Sequence, residues 1–490
     1  MAFITLLTAA CCLGVAQASE EVTGLVSLPV VRHYVSPSDG VRQRDTVPWD
    51  LGNVYVRYGQ FTVNVSMGNP PQDLVLKVDS ASAETWAFGP KACGSSTSCT
   101  GGEFKPTDSK SYVNISSYPE FKIGYLDGAQ IRGQYFADDF KVGNMVLKNI
   151  TMAVAKTASG ISRGIIGIGF PADAGPHGKS WEYPTIMDEL VLQGKIQRRS
   201  YSLYMDGVDA TSGSLLFGGY DKSKFEGELS TLPIVRKFTD PVVQWDSLSV
   251  TNKSGTFNAT SAKEFPAYAN LDLGASFLHI PQAAFKVLVE SIGAKYQEGS
   301  DKYEVDCDLG KKHPGSLDFV FGGPNGTKPV NISVPFSELA VSYADAATGK
   351  TSTRNGKPYC RLGVGVCENT KKGKCGFGDT FLRSVYVVYD LDHYEIRMAP
   401  IKHKATESSL VSFGNSTETP VSSSATPNPT ATGSGSPSAV GGGGGCSNLQ
   451  PCRWKRGCDF VTRGKWPDFY ACTVGVGLIG SLLKGIPSHH

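Results

Sequence analysis

The chain runs to 490 residues, 40% hydrophobic and 19% charged, and its 47 Lys and Arg nearly balance 45 Asp and Glu, for a net charge of +2. Such a composition supplies ample core material for a globular protein, and the charge balance removes any electrostatic case for a nucleic-acid partner. The 56 glycines and 28 prolines favour many short strands and turns over long helices, so the expected fold class is all-β.

The first 18 residues, "MAFITLLTAACCLGVAQA", form an apolar run ending in Ala16, Gln17 and Ala18, the small-x-small pattern of a signal-peptidase site. Residues 19–44 are a short polar segment in which Arg42 and Arg44 suit either the cut of a small propeptide or an exposed loop. Eight sequons, at Asn64, Asn114, Asn149, Asn252, Asn258, Asn325, Asn331 and Asn415, fit a secreted glycoprotein. From about Tyr55 to about Pro400, β-branched and aromatic runs alternate with Gly, Asn, Asp and Pro clusters, as expected of many short strands. Helical spacing is confined to a few places. "TIMDELVLQGKI" puts Ile186, Leu190 and Val191 on one face and stops at Gly194; "PQAAFKVLVESIGAKY" starts at Pro281 and repeats Phe285, Leu288 and Ile292.

Of the 12 cysteines, Cys11 and Cys12 leave with the signal. In an oxidising compartment Cys93, Cys99, Cys307, Cys360, Cys367 and Cys375 are an even set that could close three disulfides. Cys93 with Cys99 would staple a short loop and Cys307 with Cys360 a long one, while the pairing of Cys367 and Cys375 stays open. With no CxxC pair and no HExxH, no metal site is expected. Residues 405–445, rich in Ser, Thr, Pro and Gly, read as a glycosylated stalk or linker. Residues 446–490 add four cysteines, a basic excess and the apolar run "TVGVGLIGSLL", too short to span a bilayer but compatible with membrane or cell-wall attachment, or with a small disulfide-bonded appendage.

The chemistry is concentrated in two turns. "LVLKVDSASAETW" ends an apolar run on Asp79 and drops into small residues before Trp86, and "LDLGAS" repeats the design at Asp272. Each acid has a later partner of apolar-glycine type, "GIIGIG" at 164–169 and "CGFGDTFL" at 375–382. Two copies of one design suggest one lobe each.

Over roughly Tyr55 to Pro400 the sequence resembles the pepsin-like aspartic proteases, through "VSMGNPPQDL", the first acid turn with Trp86, "YLDGA", "GIIGIGFP", "GSLLFGGYDKSKFEGEL", the second acid turn and "GDTFLRSVYVVYDLDHYEIRMAP" in order. The Ser/Thr-rich stalk is similar in composition to the fungal secreted or lipid-anchored branch. The resemblance implies a bilobal all-β fold with a cleft between pseudo-symmetric lobes, at residues 45–230 and 231–404. It also implies a dyad of Asp79 and Asp272, with Tyr125 on a hairpin that closes over substrate and Trp86 donating to that tyrosine. Ser82, Gly274 and Ser276 would line the substrate site, and Ser80 would brace the turns. The implied chemistry uses two carboxylates and a water, with no cofactor, on protein or peptide substrates, in a monomer.

The turns also depart from the family pattern. Ala81 stands for a glycine, Leu273 and Ala275 for residues with hydroxyls, Leu126 and Ala129 for flap residues, and Phe377 for an aliphatic one. Asp272 is expected to lose two hydroxyl contacts, which would raise its proton affinity and loosen its orientation. Two functions follow: an aspartic endopeptidase acting at acid pH, or an impaired homologue that keeps the cleft as a peptide-binding or wall-associated protein.

Overall fold

A computed structural model describes residues 25–34 and 59–413, apart from 94–98, 126–127, 144, 171–182, 209, 211, 262, 299–301, 323–327, 343–352, 355 and 369–372. The signal segment, residues 19–24 and 35–44, Leu126, residues 414–445 and the cysteine-containing tail lie outside the described residues. Within the expected propeptide, Val26–Tyr34 is a strand of the large sheet, paired with Gly59–Met67 and Ser212–Phe217, and within the expected stalk, Leu410–Ser412 pairs with Gly219–Asp221 and Phe413 is buried, so the folded body takes in both stretches.

The fold is mostly β. Among the described residues a 14-stranded sheet takes in strands from both halves of the chain, because Ser200–Tyr204 pairs antiparallel with Val385–Asp390. Four smaller sheets complete the architecture. The helices form where the apolar spacing places them. Ile186–Leu192 is capped by Thr185 and Asp188 in a reciprocal box and is followed by Gly194 at φ 66°; Gln282–Ile292 ends at Gly293, φ 62°. Both bury the faces that their periodicity marks, with Ile186 and Leu190 in one and Phe285, Leu288 and Ile292 in the other.

The repeat seen in the sequence is a repeat of strand topology. Gln72–Asp79 runs parallel to Ile165–Gly167, with Asp79 opposite Gly167, and Trp86–Phe88 flanks that strand on its other side. In the second half Ala267–Leu271 runs parallel to Cys375–Phe377, with Leu271 opposite Phe377, and Leu278–Pro281 flanks it in turn. Both acids therefore leave the sheet at equivalent places.

Phe377 suits its position because an aromatic core receives it. Its ring lies 5.1 Å from Trp245, 5.4 Å from Phe319 and 4.7 Å from Phe381, mostly edge to face. Each such buried ring contributes roughly 1.5–3 kcal/mol by leaving water.

Disulfides join Cys93 to Cys99 and Cys307 to Cys360, and the pairing left open by the sequence is Cys367 to Cys375. The last of these ties the Val364–Cys367 strand to Cys375–Phe377, two strands of the sheet that positions Asp272.

Candidate active site

Alternation along Gln72–Asp79 turns Leu74, Leu76 and Val78 into the core and leaves Val75, Lys77 and Asp79 on the opposite face. The strand stops at Asp79 because the chain turns back on its carboxylate: the Ala81 N–H donates to Asp79 Oδ1 at 2.9 Å. The second turn repeats this contact, with the Gly274 N–H donating to Asp272 Oδ1 at 2.6 Å.

The two carboxylates converge on Gly274. A methyl carbon added there would lie 2.9 Å from Asp272 Oδ1 and 2.9 Å from both Cγ and Oδ1 of Asp79, so only a residue without a side chain fits between them. The equivalent residue of the first turn, Ala81, is partly exposed, so its methyl is accommodated where the sequence suggests crowding.

Ser80 links the turns. Its hydroxyl donates to the Leu271 carbonyl at 3.2 Å and accepts from the Leu273 N–H at 2.9 Å, and Tyr389 Oη also donates to the Leu271 carbonyl, at 3.1 Å. Leu273 is buried and offers only its backbone to this brace. A second contact crosses between the turns that the sequence reading missed: Lys77 Nζ donates to the Gly274 carbonyl at 2.7 Å. The available signal was a lysine two residues before the acid in an otherwise apolar run, on the same strand face as Asp79.

The electrostatics follow from this enclosure. Burial, and then the charge of Asp79, raises the Asp272 carboxyl from 3.8 to about 7, against an opposing effect from Lys77 and from the backbone N–H donors of its turn. Two like charges held this close share one proton.

Trp86 Nε1 donates to Tyr125 Oη at 2.8 Å, and Tyr125 sits at the start of a turn in which its carbonyl accepts from Gly128. Burial, then Asp79, pushes the Tyr125 phenol well above its ordinary range, so it stays neutral. Ser82 is buried beneath it, its hydroxyl accepting from the Glu84 N–H at 3.3 Å. Beside this cluster lies a buried carboxylate that the sequence reading did not single out: Glu84 accepts from Tyr135 at 3.1 Å and from Tyr183. Ser276 lies in the second turn, where its carbonyl accepts from the Thr380 N–H and hydroxyl at 3.2 and 3.0 Å.

Comparison with known proteins bears on the family and the fold. The family model described as eukaryotic aspartyl protease matches residues 60–401. A probable aspartic-type endopeptidase opsB of Aspergillus fumigatus is 30% identical over 409 residues, 80% of this chain and 80% of that protein. Secreted aspartic protease 5 of Candida albicans is 30% identical over 384 residues, 76% of this chain and 82% of its own. In fold, the crystal structure of the aspartic proteinase from Irpex lacteus aligns with a TM-score of 0.57 at 20% identity, covering 79% of this chain and all of that one. The chain belongs to the eukaryotic aspartyl protease family.

Proposed function

We propose that the protein is an aspartic-type endopeptidase in which Asp79 and Asp272 hydrolyse peptide bonds with a shared proton and a water. The observation that carries this reading is the convergence of both carboxylates on Gly274, under 3 Å from a single added carbon. The raised proton affinity of Asp272 supports starting the shared proton there.

In the reaction a water lies between the carboxylates. Asp79 takes one of its protons as the oxygen attacks the scissile carbonyl carbon, and Asp272 gives its proton to the carbonyl oxygen. The tetrahedral intermediate collapses when Asp79 passes its proton to the departing amide nitrogen and Asp272 recovers one from the diol. The C–N bond breaks, both carboxyls regain their starting states, and one water has been consumed. Tyr125, held by Trp86, would cover the bound peptide, with Ser82, Gly274 and Ser276 along its path and apolar side chains preferred beside the cut.

A secreted or cell-surface location accords with the apolar N-terminal run, with the relatives, and with exposed sequon asparagines at 64, 114, 149, 258 and 331. In this reading residues 414–445 act as a stalk, residues 446–490 attach the protein to membrane or wall, and the enzyme works as a monomer.

The test is cleavage of a denatured protein by the secreted chain from about pH 3 to about pH 7, with and without pepstatin. Pepstatin-sensitive cleavage is expected. A folded sample that binds pepstatin and cuts nothing at any pH would replace this reading with a peptide-binding one.

A further inference from the structure

We propose that Lys77 is a positioning residue for the dyad, supplying across the two acid turns the tie that Leu273 cannot, and that its charge sets the pH range in which the site works. The inference deepens the endopeptidase reading and rests on it.

The geometry begins with symmetry. Ser80 in the first turn reaches across to the Leu271 carbonyl and the Leu273 N–H. Its counterpart in the second turn is Leu273, a buried apolar side chain with no donor or acceptor, so the reciprocal half of the brace has no hydroxyl. Lys77 reaches across instead, from the first strand to the Gly274 carbonyl at 2.7 Å, a contact between residues 197 apart in sequence. Gly274 is the residue whose N–H holds Asp272 Oδ1. One peptide-bearing residue thus receives the lysine on its carbonyl and grips the acid with its amide, so the ammonium orients Asp272 through the backbone.

The strand keeps Lys77 aimed this way. It is paired with Thr62 on one side and lies in parallel register with Ile165 on the other, and its N–H donates to the Gly164 carbonyl at 2.9 Å. Leu76 and Val78, on either side of it, are anchored in the core. A half-buried ammonium so placed favours the ionised form of a carboxyl beside it. The groups facing Asp272 are Asp79 and Lys77 from that strand, and the phenols of Tyr201 and Tyr389 from the paired strands Ser200–Tyr204 and Val385–Asp390. Both phenols are pushed up by burial and stay neutral, so Lys77 is the positive charge in this set, and it holds the proton affinity of Asp272 below what burial and Asp79 alone would give.

Removing the charge should therefore move both limbs of the pH profile upward, and removing the donor should slow the chemical step. The full secreted chain is compared with Lys77→Met, Lys77→Gln, Leu273→Thr and the Lys77→Met/Leu273→Thr double variant, reading kcat and KM on a peptide substrate across pH, with thermal unfolding as the check on folding. Lys77→Met is expected to lower kcat about 10-fold or more at the wild-type optimum, with KM little changed and both limbs displaced to higher pH. Lys77→Gln, a neutral donor, should keep more of kcat but show the same displacement. The double variant should recover kcat toward wild type and leave the limbs displaced, since threonine restores a hydroxyl and no charge.

Unchanged limbs in both neutral variants would overturn the electrostatic role. A double variant no faster than Lys77→Met would overturn the bracing role. If the wild-type chain proves inactive, the endopeptidase reading fails by itself, and the pH dependence of pepstatin binding decides on Lys77: identical dependence in wild type and Lys77→Gln overturns the proposal, and a displacement to higher pH in Lys77→Gln supports it.

Discussion

Gly274 is the tightest residue of the site, and its size is a requirement of the two carboxylates. Both press to within 2.9 Å of the place where a side chain would begin. Gly274→Ala must push one acid aside, and a displacement of that size in a reacting group lowers rates by about 100-fold. The expected result is a loss of that order in kcat, measured on a peptide substrate, with KM changed far less. A variant with wild-type kcat would mean that the acids do not act together at this point. Asp272 adds a stability effect whose sign is fixed by its environment. Its carboxyl is raised from 3.8 to about 7, so between these values the unfolded chain has released the proton while the folded chain still holds it. Stability is therefore greatest below the lower value and falls as pH rises toward 7. Asp272→Asn should flatten this dependence and unfold at a higher temperature than wild type near neutral pH, as followed by thermal melts across the range.

At the scale of elements, the site is two strand ends and a hairpin. The parallel pairs Gln72–Asp79 with Ile165–Gly167 and Ala267–Leu271 with Cys375–Phe377 fix where the acids emerge. The hairpin is tied to the first of these units by the 2.8 Å bond from Trp86 to Tyr125. Trp86→Phe keeps the ring packing against Phe88 and Phe121 but removes the donor. A loss of about 1 kcal/mol, or about 5-fold in kcat/KM, is expected from the lost donor, together with a melting temperature lowered by a few degrees because the smaller ring leaves a cavity at a fully buried position. An unaffected kcat/KM would separate the hairpin tyrosine from substrate closure. Much of this was legible in the sequence, because acid, small residues and a later apolar-glycine strand recur twice and local turn chemistry is written in neighbouring residues. The Trp86 contact with Tyr125 followed from the ordered family landmarks. Contacts between distant segments were harder to read. Lys77 meets Gly274 only after both halves have folded, and Glu84 meets Tyr183 across 99 residues. The substitutions read as losses, Ala81 and Phe377, find room in a partly exposed turn and in the aromatic core around Trp245.

At the scale of the molecule, the large sheet holds the two acid-bearing halves in one frame, since Ser200–Tyr204 and Val385–Asp390 pair within it while Ser80 and Lys77 cross between the turns. Brace and frame together keep two carboxylates facing each other against their mutual repulsion. Burying such a pair is unfavourable unless one member keeps its proton, and the dyad therefore needs intermediate protonation to work. Activity should rise and then fall with pH, with the falling limb set by loss of the shared proton as pH approaches the neighbourhood of 7. The deciding measurement is kcat/KM against pH for the secreted chain beside Asp79→Asn and Asp272→Asn, each first shown to be folded. A bell-shaped profile in the wild type and loss of at least about 1000-fold in both variants are expected. Substantial activity in either variant, with the wild-type pH dependence intact, would contradict a shared proton between Asp79 and Asp272.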